Sequence, residues 1–140
     1  MDGLIEGGCL CGGVRYSASS EPALVGVCHC DDCRKFSGSA FSFLVAIEKS
    51  SLEVRGTLKT YSNIADTGRP IFRSFCPDCG SSVVEESASH PGYIIVNAGT
   101  LDFPACVSPS IELYCHNALP WIQLSGMKRF AKMPPSFRSE

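Results

Sequence analysis

Runs of three to eight residues rich in Val, Ile, Leu, Phe and Tyr alternate along the chain with clusters of Gly, Pro, Ser and Asn. β-Branched and aromatic residues bounded by turn-formers fit a pleated, half-buried surface. The pattern predicts strands over residues 13–16, 24–28, 40–47, 52–54, 58–61, 71–75, 82–85, 93–97 and 111–114. Only residues 31–36, and the stretch around Leu101, suit a helical turn, and neither carries an apolar period of 3.6 for long enough to make a long helix. The expected fold is therefore mainly β. At 140 residues, with no low-complexity linker, the chain reads as a single domain over 1–140. The tail from 132 to 140, with Pro134-Pro135, is expected to fray.

Charge and composition narrow the partners. The chain is 44% apolar with a formal charge of -2, and its pI of about 5.9 leaves no basic footprint for nucleic acid or an anionic membrane. The longest apolar stretch, 40–47, is far short of the ~20 residues that cross a bilayer, and the N-terminus has no charged region followed by an apolar one. A cytoplasmic location is expected, where reducing conditions make clustered cysteines metal ligands or redox groups more often than disulfides.

Seven of the nine cysteines fall in tight groups: Cys9-Leu10-Cys11, then Cys28-His29-Cys30-Asp31-Asp32-Cys33, then Cys76-Pro77-Asp78-Cys79. Thiolates so spaced can converge on one ion from a single turn, because Zn–S bonds of about 2.3 Å need only a short backbone reversal. Disulfides fit less well, since neighbours at i and i+2 diverge too far for a bridge and nine is odd. Structural zinc sites close with four protein ligands, whereas catalytic sites keep a position open. Seven thiolates divide as four plus three. Cys9 and Cys11 need two more ligands, which Cys76 and Cys79 supply from a turn favoured by Pro77 and Gly80; these four are assigned to a structural zinc. Cys28, Cys30 and Cys33 are left as an open three-thiolate site, with closure by Cys106, Cys115, His90 or His116 as the alternative. Two zinc ions per chain follow.

The remaining candidates are weaker. Cys106 and Cys115 read as packing residues buried in strands. His29, set between two ligand cysteines, reads as an exposed side chain, and His90, before Pro91, as a loop residue. Arg34 and Lys35, directly after the open cluster, could offset its negative charge or grip a substrate carboxylate. Phe36, Phe41 and Trp121 could wall an apolar pocket, although aromatics in a β domain are core residues by default.

Taken in order, GGCLCGGVRY, CHCDDCRKFSGSAF, RSFCPDCGS, VNAGTLDFP and the late LPW at 119–121 resemble the glutathione-dependent formaldehyde-activating family, also called the centromere protein V domain family. The resemblance spans about residues 7 to 130. It implies an Mss4-like zinc-binding β-tent and the same division of metal ligands. The activity it implies is a carbon-sulfur lyase reaction that interconverts S-(hydroxymethyl)glutathione with glutathione and formaldehyde, with a small thiol such as glutathione as partner. The segment 114–119 carries no Lys or Arg before Pro120-Trp121, a departure from the family pattern that bears on the substrate.

Two other functions compete on the sequence alone. A zinc-stabilised binding or chaperone-like module would carry a large apolar patch or a basic extension, and no basic extension is present. A metal or thiol-redox sensor would use the oxidisable thiolates of the open cluster.

Overall fold

A computed structural model of the chain describes residues 5–134. The described residues form two sheets. Strands β1 (Ile5–Gly8), β2 (Arg15–Ala18) and β5 (Leu52–Arg55) make a small antiparallel sheet in the order β1-β2-β5. The larger sheet takes β3 (Leu24–Cys28), β4 (Ser42–Glu48), β6 (Lys59–Ile64), β7 (Pro70–Phe75), β8 (Ser82–Ser87), β9 (Tyr93–Asn97), β10 (Ile111–Leu113) and β11 (Lys128–Arg129). Their order is β11-β10-β3-β4-β9-β8-β7-β6, antiparallel except where β10 lies parallel to β3 and to β11. One α-helix, α1 (Asp31–Ser37), bridges β3 and β4. This is the mainly-β architecture that the spacing of apolar runs predicts.

The departures have local causes. The run at 13–16 becomes a strand only from Arg15, because residues 9–14 are folded into a tight turn with the Cys9 N–H donating to Val14 O at 3.0 Å. Strand β1 carries one apolar side chain beside Glu6 and two glycines, so its composition does not announce it. Gly7 is there for space: a Cβ would stand 2.4 Å from both Tyr16 Oη and the Thr100 carbonyl oxygen. Near Leu101 the helical turn considered for this stretch is a single 3-10 turn (Ala98–Thr100), after which Leu101 forms a bridge to Gly7. At the tail, Met133 packs on an apolar cluster and Pro134 is buried, so the described part of the stretch expected to fray is held down; residues 135–140 lie outside the described residues.

Two apolar clusters position everything else. The larger joins Ile5, Tyr16 and Ala18 of the small sheet to Val45, Ile47, Val83 and Val96 of the large one. Polar contacts reinforce the same seam: Arg15 reaches Asp102 through two hydrogen bonds at 3.0 and 2.5 Å, and Tyr16 Oη lies 2.6 Å from Thr100 Oγ1. The smaller cluster gathers Ile111, Leu113, Cys28 and Cys33, with Tyr114, Phe130 and Met133 packed on it. It seats the second group of cysteines on the β3–β10 side of the sheet. No helix of the described residues is long and apolar enough to cross a membrane.

Candidate metal centres

The first centre forms where two tight turns face each other. Cys9 and Cys11 leave β1 in a turn closed by the Gly12 N–H donating to Cys9 O (3.1 Å), with Gly12 at φ 80°. Cys76 and Cys79 leave β7 in a second turn, closed by the Gly80 N–H to Cys76 O (2.8 Å), with Gly80 at φ 77°. Left-handed backbone is costly for residues with a Cβ, which explains glycine at both positions. One ligand atom from each of Cys9, Cys11, Cys76 and Cys79 lies within 4.8 Å of the others. Zn–S bonds of about 2.3 Å set tetrahedral sulfurs about 3.8 Å apart; the Cys9–Cys11 and Cys11–Cys76 sulfurs are 3.6 and 3.8 Å apart. The donor set thus fits a four-coordinate ion. Donors surround it: the Val14 N–H reaches Cys9 Sγ at 3.2 Å, and the Ser81 hydroxyl, 3.3 Å from Cys79 Sγ, helps hold that thiol down at about 5. Ser81 Oγ also accepts from the Leu10 N–H at 3.0 Å, so one side chain ties the two turns together.

The second centre grows from one continuous segment. Cys28 ends β3, Cys30 is the N-cap of α1, and Cys33 sits in its first turn. The Cys30 sulfur plays the part usually taken by a Ser or Asp oxygen, accepting the Cys33 N–H at 3.2 Å. Asp31 and Asp32 in the first turn and Arg34 and Lys35 in the last suit the helix dipole, and Gly38 (φ 69°) stops the helix with its N–H on Arg34 O. Sulfurs of Cys28, Cys30 and Cys33 lie within 4.8 Å of one another, and among the described residues no fourth His, Cys, Asp or Glu atom joins the group. Three soft donors with one place left suit an open zinc site. The shared protons sort themselves by position. Hydrogen bonds with Cys28 and Cys33, the Cys33 N–H and the nearby Arg73 charge draw Cys30 down to about 3. Cys28 is pushed up by its hydrogen bonds to the other two thiols and by burial. Cys33, favoured by Cys28, is still pushed up to about 12 by Cys30 and burial.

The surroundings of this second centre contain groups that no local motif marks. Arg73 of β7, 4% exposed, donates to Glu85 Oε1 at 2.5 Å and to Asn63 Oδ1 at 2.9 Å. Its guanidinium lies 5.6 Å over the Phe36 ring, and 3.9 Å separates it from Asp32 Oδ2. Arg73 and Glu85 face each other across β7 and β8, so knowledge of that register would have revealed the pair. Burial raises the Glu85 carboxyl, and the Arg73 charge opposes the shift. Tyr114 follows β10 with left-handed backbone (φ 56°, ψ 43°), the one non-glycine residue of positive φ among those described. Such strain in a bulky residue persists only where surroundings enforce it. Here the side chain packs on the cluster of Cys28, Cys33, Ile111 and Leu113, and the hydroxyl donates to Asp66 Oδ2 at 2.6 Å.

Several residues singled out from the sequence take other surroundings or partners than those expected of them. His29 is fully buried, contrary to the exposed position expected for it. Its N–H donates to Leu113 O at 3.0 Å, continuing the β3–β10 ladder, and that turns Nε2 onto Glu112 Oε1 at 2.8 Å, with Phe41 5.6 Å from the ring. Cys115 belongs to a donor group with His29 and Glu112, not to the open cluster. It is half-buried in a 3-10 turn, and Cys106 is exposed in another, so neither is the buried strand residue expected. His116 turns Nδ1 to Ala131 O at 2.5 Å. Arg34 pairs with Asp31 of its own helix at 3.3 Å, Lys35 is exposed in the last turn, and Trp121 is 72% exposed.

Comparison with known proteins agrees with this arrangement. The sequence profile described as "glutathione-dependent formaldehyde-activating enzyme" matches residues 4–117. An uncharacterized lyase of Schizosaccharomyces pombe is 24% identical over 117 residues, covering 78% of this chain and 82% of that one. A Halomonas elongata protein, provisionally named a glutathione-dependent formaldehyde-activating enzyme, is 26% identical over 132 residues, covering 90% and 84%. A Rhodobacter sphaeroides protein of known crystal structure superposes with a TM-score of 0.57 at 27% identity, covering 74% of this chain and 91% of that one. Both centres are complete within the matched segment, and the chain belongs to the glutathione-dependent formaldehyde-activating enzyme family.

Proposed function

We propose that this protein is a zinc-dependent carbon-sulfur lyase that acts on a thiol–aldehyde adduct, of which S-(hydroxymethyl)glutathione is the type suggested by the family. Cys9, Cys11, Cys76 and Cys79 would hold a structural zinc, and Cys28, Cys30 and Cys33 a catalytic one. The observation carrying the reading is the inequality of the two centres: one set closes with four sulfurs, the other stops at three. Zinc bound by three thiolates supplies a fourth position at which a substrate sulfur is held as thiolate near neutral pH.

The chain's own groups then set the reaction. In the forward direction the C–S bond of the adduct breaks, its electron pair stays on sulfur, the hydroxyl proton passes to solvent, and the carbon leaves as aldehyde; addition is the reverse. Cys28, Cys30 and Cys33 fix where the sulfur sits, because β3 and the N-cap of α1 hold all three. The Arg73 cation, held by Glu85 and Asn63, offsets negative charge gathered at the cluster. Tyr114 and Phe36 supply apolar surface beside it.

Cys30→Ser tests the assignment. Metal content should fall from two zinc ions per chain to one, and turnover of formaldehyde adducts of small thiols should be lost, while the circular dichroism of the sheets is kept. Turnover unchanged in this variant overturns the proposal.

A further inference from the structure

Three carboxylates stand on the segments that carry or pack on the three-thiolate cluster, and the cations beside them are already engaged. Asp31 and Asp32, with side chains 62% and 54% exposed, stand in α1 between Cys30 and Cys33. Asp66 is held by the hydroxyl of Tyr114, which packs on the apolar cluster that contains Cys28 and Cys33. Neutral partners hold two of these acids in place: Asn117 donates to Asp31 at 3.3 Å and Asn63 to Asp32 at 3.1 Å. Of the nearby cations, Arg34 is turned to Asp31, and Arg73 is buried against Glu85 with Asp32 at 3.9 Å, so two arginines face four carboxylates, Asp31, Asp32, Asp66 and Glu85. Lys35 projects from the last turn of α1, the end away from Cys30.

We infer that the open cluster selects thiols that are cationic near the sulfur, such as aminothiols, over thiols that carry carboxylates there. The inference rests on the reading that a substrate sulfur takes the fourth position beside Cys28, Cys30 and Cys33. Charges around a cleft act together on a ligand entering it, and each carboxylate favours an ammonium as it disfavours a carboxylate. Glutathione brings two carboxylates and one ammonium, so this site treats it less well than a small aminothiol. The three acids set specificity and take no part in breaking the C–S bond.

The test uses the full chain loaded with cobalt, which reports a fourth thiolate through its thiolate-to-metal absorption band. Cysteamine and mercaptoacetate, similar in size and opposite in charge, are titrated against the wild type and against an Asp31→Asn, Asp32→Asn, Asp66→Asn variant. The ratio of their half-saturating concentrations should favour cysteamine less in the variant, by about tenfold, and raising the salt should shrink the wild-type ratio in the same direction. Comparing ratios cancels the different acidities of the two thiols. Asp78→Asn, in the turn of the first centre, removes one negative charge away from the open cluster and should leave the ratio unmoved, whereas Asp32→Asn alone, also one charge, should shift it part of the way. A ratio unchanged in the triple variant, or moved as much by Asp78→Asn as by Asp32→Asn, overturns the charge selectivity while leaving the thiol site standing. If neither thiol alters the cobalt spectrum, the thiol reading itself falls, and the selectivity with it.

Discussion

At the scale of single residues, the cysteines were legible and their charged neighbours were not. Spacing alone marks a candidate ligand, because two thiols a turn apart have few other uses. Arg73 and Glu85 look like ordinary alternating polar positions of strands; only the pairing of β7 with β8 turns them onto each other inside the protein. Removing one member leaves the other charge buried and uncompensated. Arg73→Met should therefore destabilise the fold by about 3–5 kcal/mol, and a further Glu85→Leu change should recover most of that loss. Urea unfolding of the two variants decides it, and equal stability of the single variant and wild type would show the pair to be inert. His29 illustrates the same limit: its neighbours in sequence suggest a bystander, while its burial against Glu112 ties the ligand segment to β10.

At the scale of elements, strands were predicted well where both faces or a clear alternation carried apolar residues; β3 and β9 begin and end where their composition changes. Strands β1 and β11 escaped because their pairing is enforced from outside. Glycines let β1 approach Tyr16 and Thr100, and β11 is two basic residues aligned by β10. The seam between the sheets also depends on the Arg15–Asp102 pair, which no strand pattern marks. The Arg15 hydrogen bonds hold the Asp102 carboxyl below its usual value. A depressed carboxylate stabilises the fold fully above its unfolded pKa, about 3.9, and loses that contribution as the pH falls through the folded value. Asp102→Asn should thus lower the melting temperature slightly at pH 7, the pair being solvent-exposed, and the gap from wild type should close as the pH is lowered below about 4. A gap that persists or widens in acid would place the effect of Asp102 outside this ion pair.

At the scale of the whole molecule, the four-cysteine group joins the small sheet to the turn between β7 and β8, and the larger apolar cluster, which Cys9 and Cys76 also enter, packs the same sheets together through Ile5, Tyr16, Val45 and Val83. Metal binding to groups that converge only on folding adds to folding free energy. Treating the zinc-loaded protein with a chelator should therefore speed amide exchange first in β1, β2 and the ends of β7 and β8, with β4 and β9 still protected by the apolar cluster. Uniform loss of protection across all strands would mean that the metal, and not the apolar seam, holds the fold. By itself the sequence determined the strand-rich class and the three short groups of cysteines, because these depend on period and spacing within short segments; counting ligands then joined the first group to the third, and the fold is what brings those two turns together. The tertiary structure alone decided that Arg73 meets Glu85, that His29 is buried on Glu112, and that Tyr114 holds Asp66. Each of those contacts joins segments far apart in the chain, so its existence depends on register and on the order of strands, which local composition does not encode.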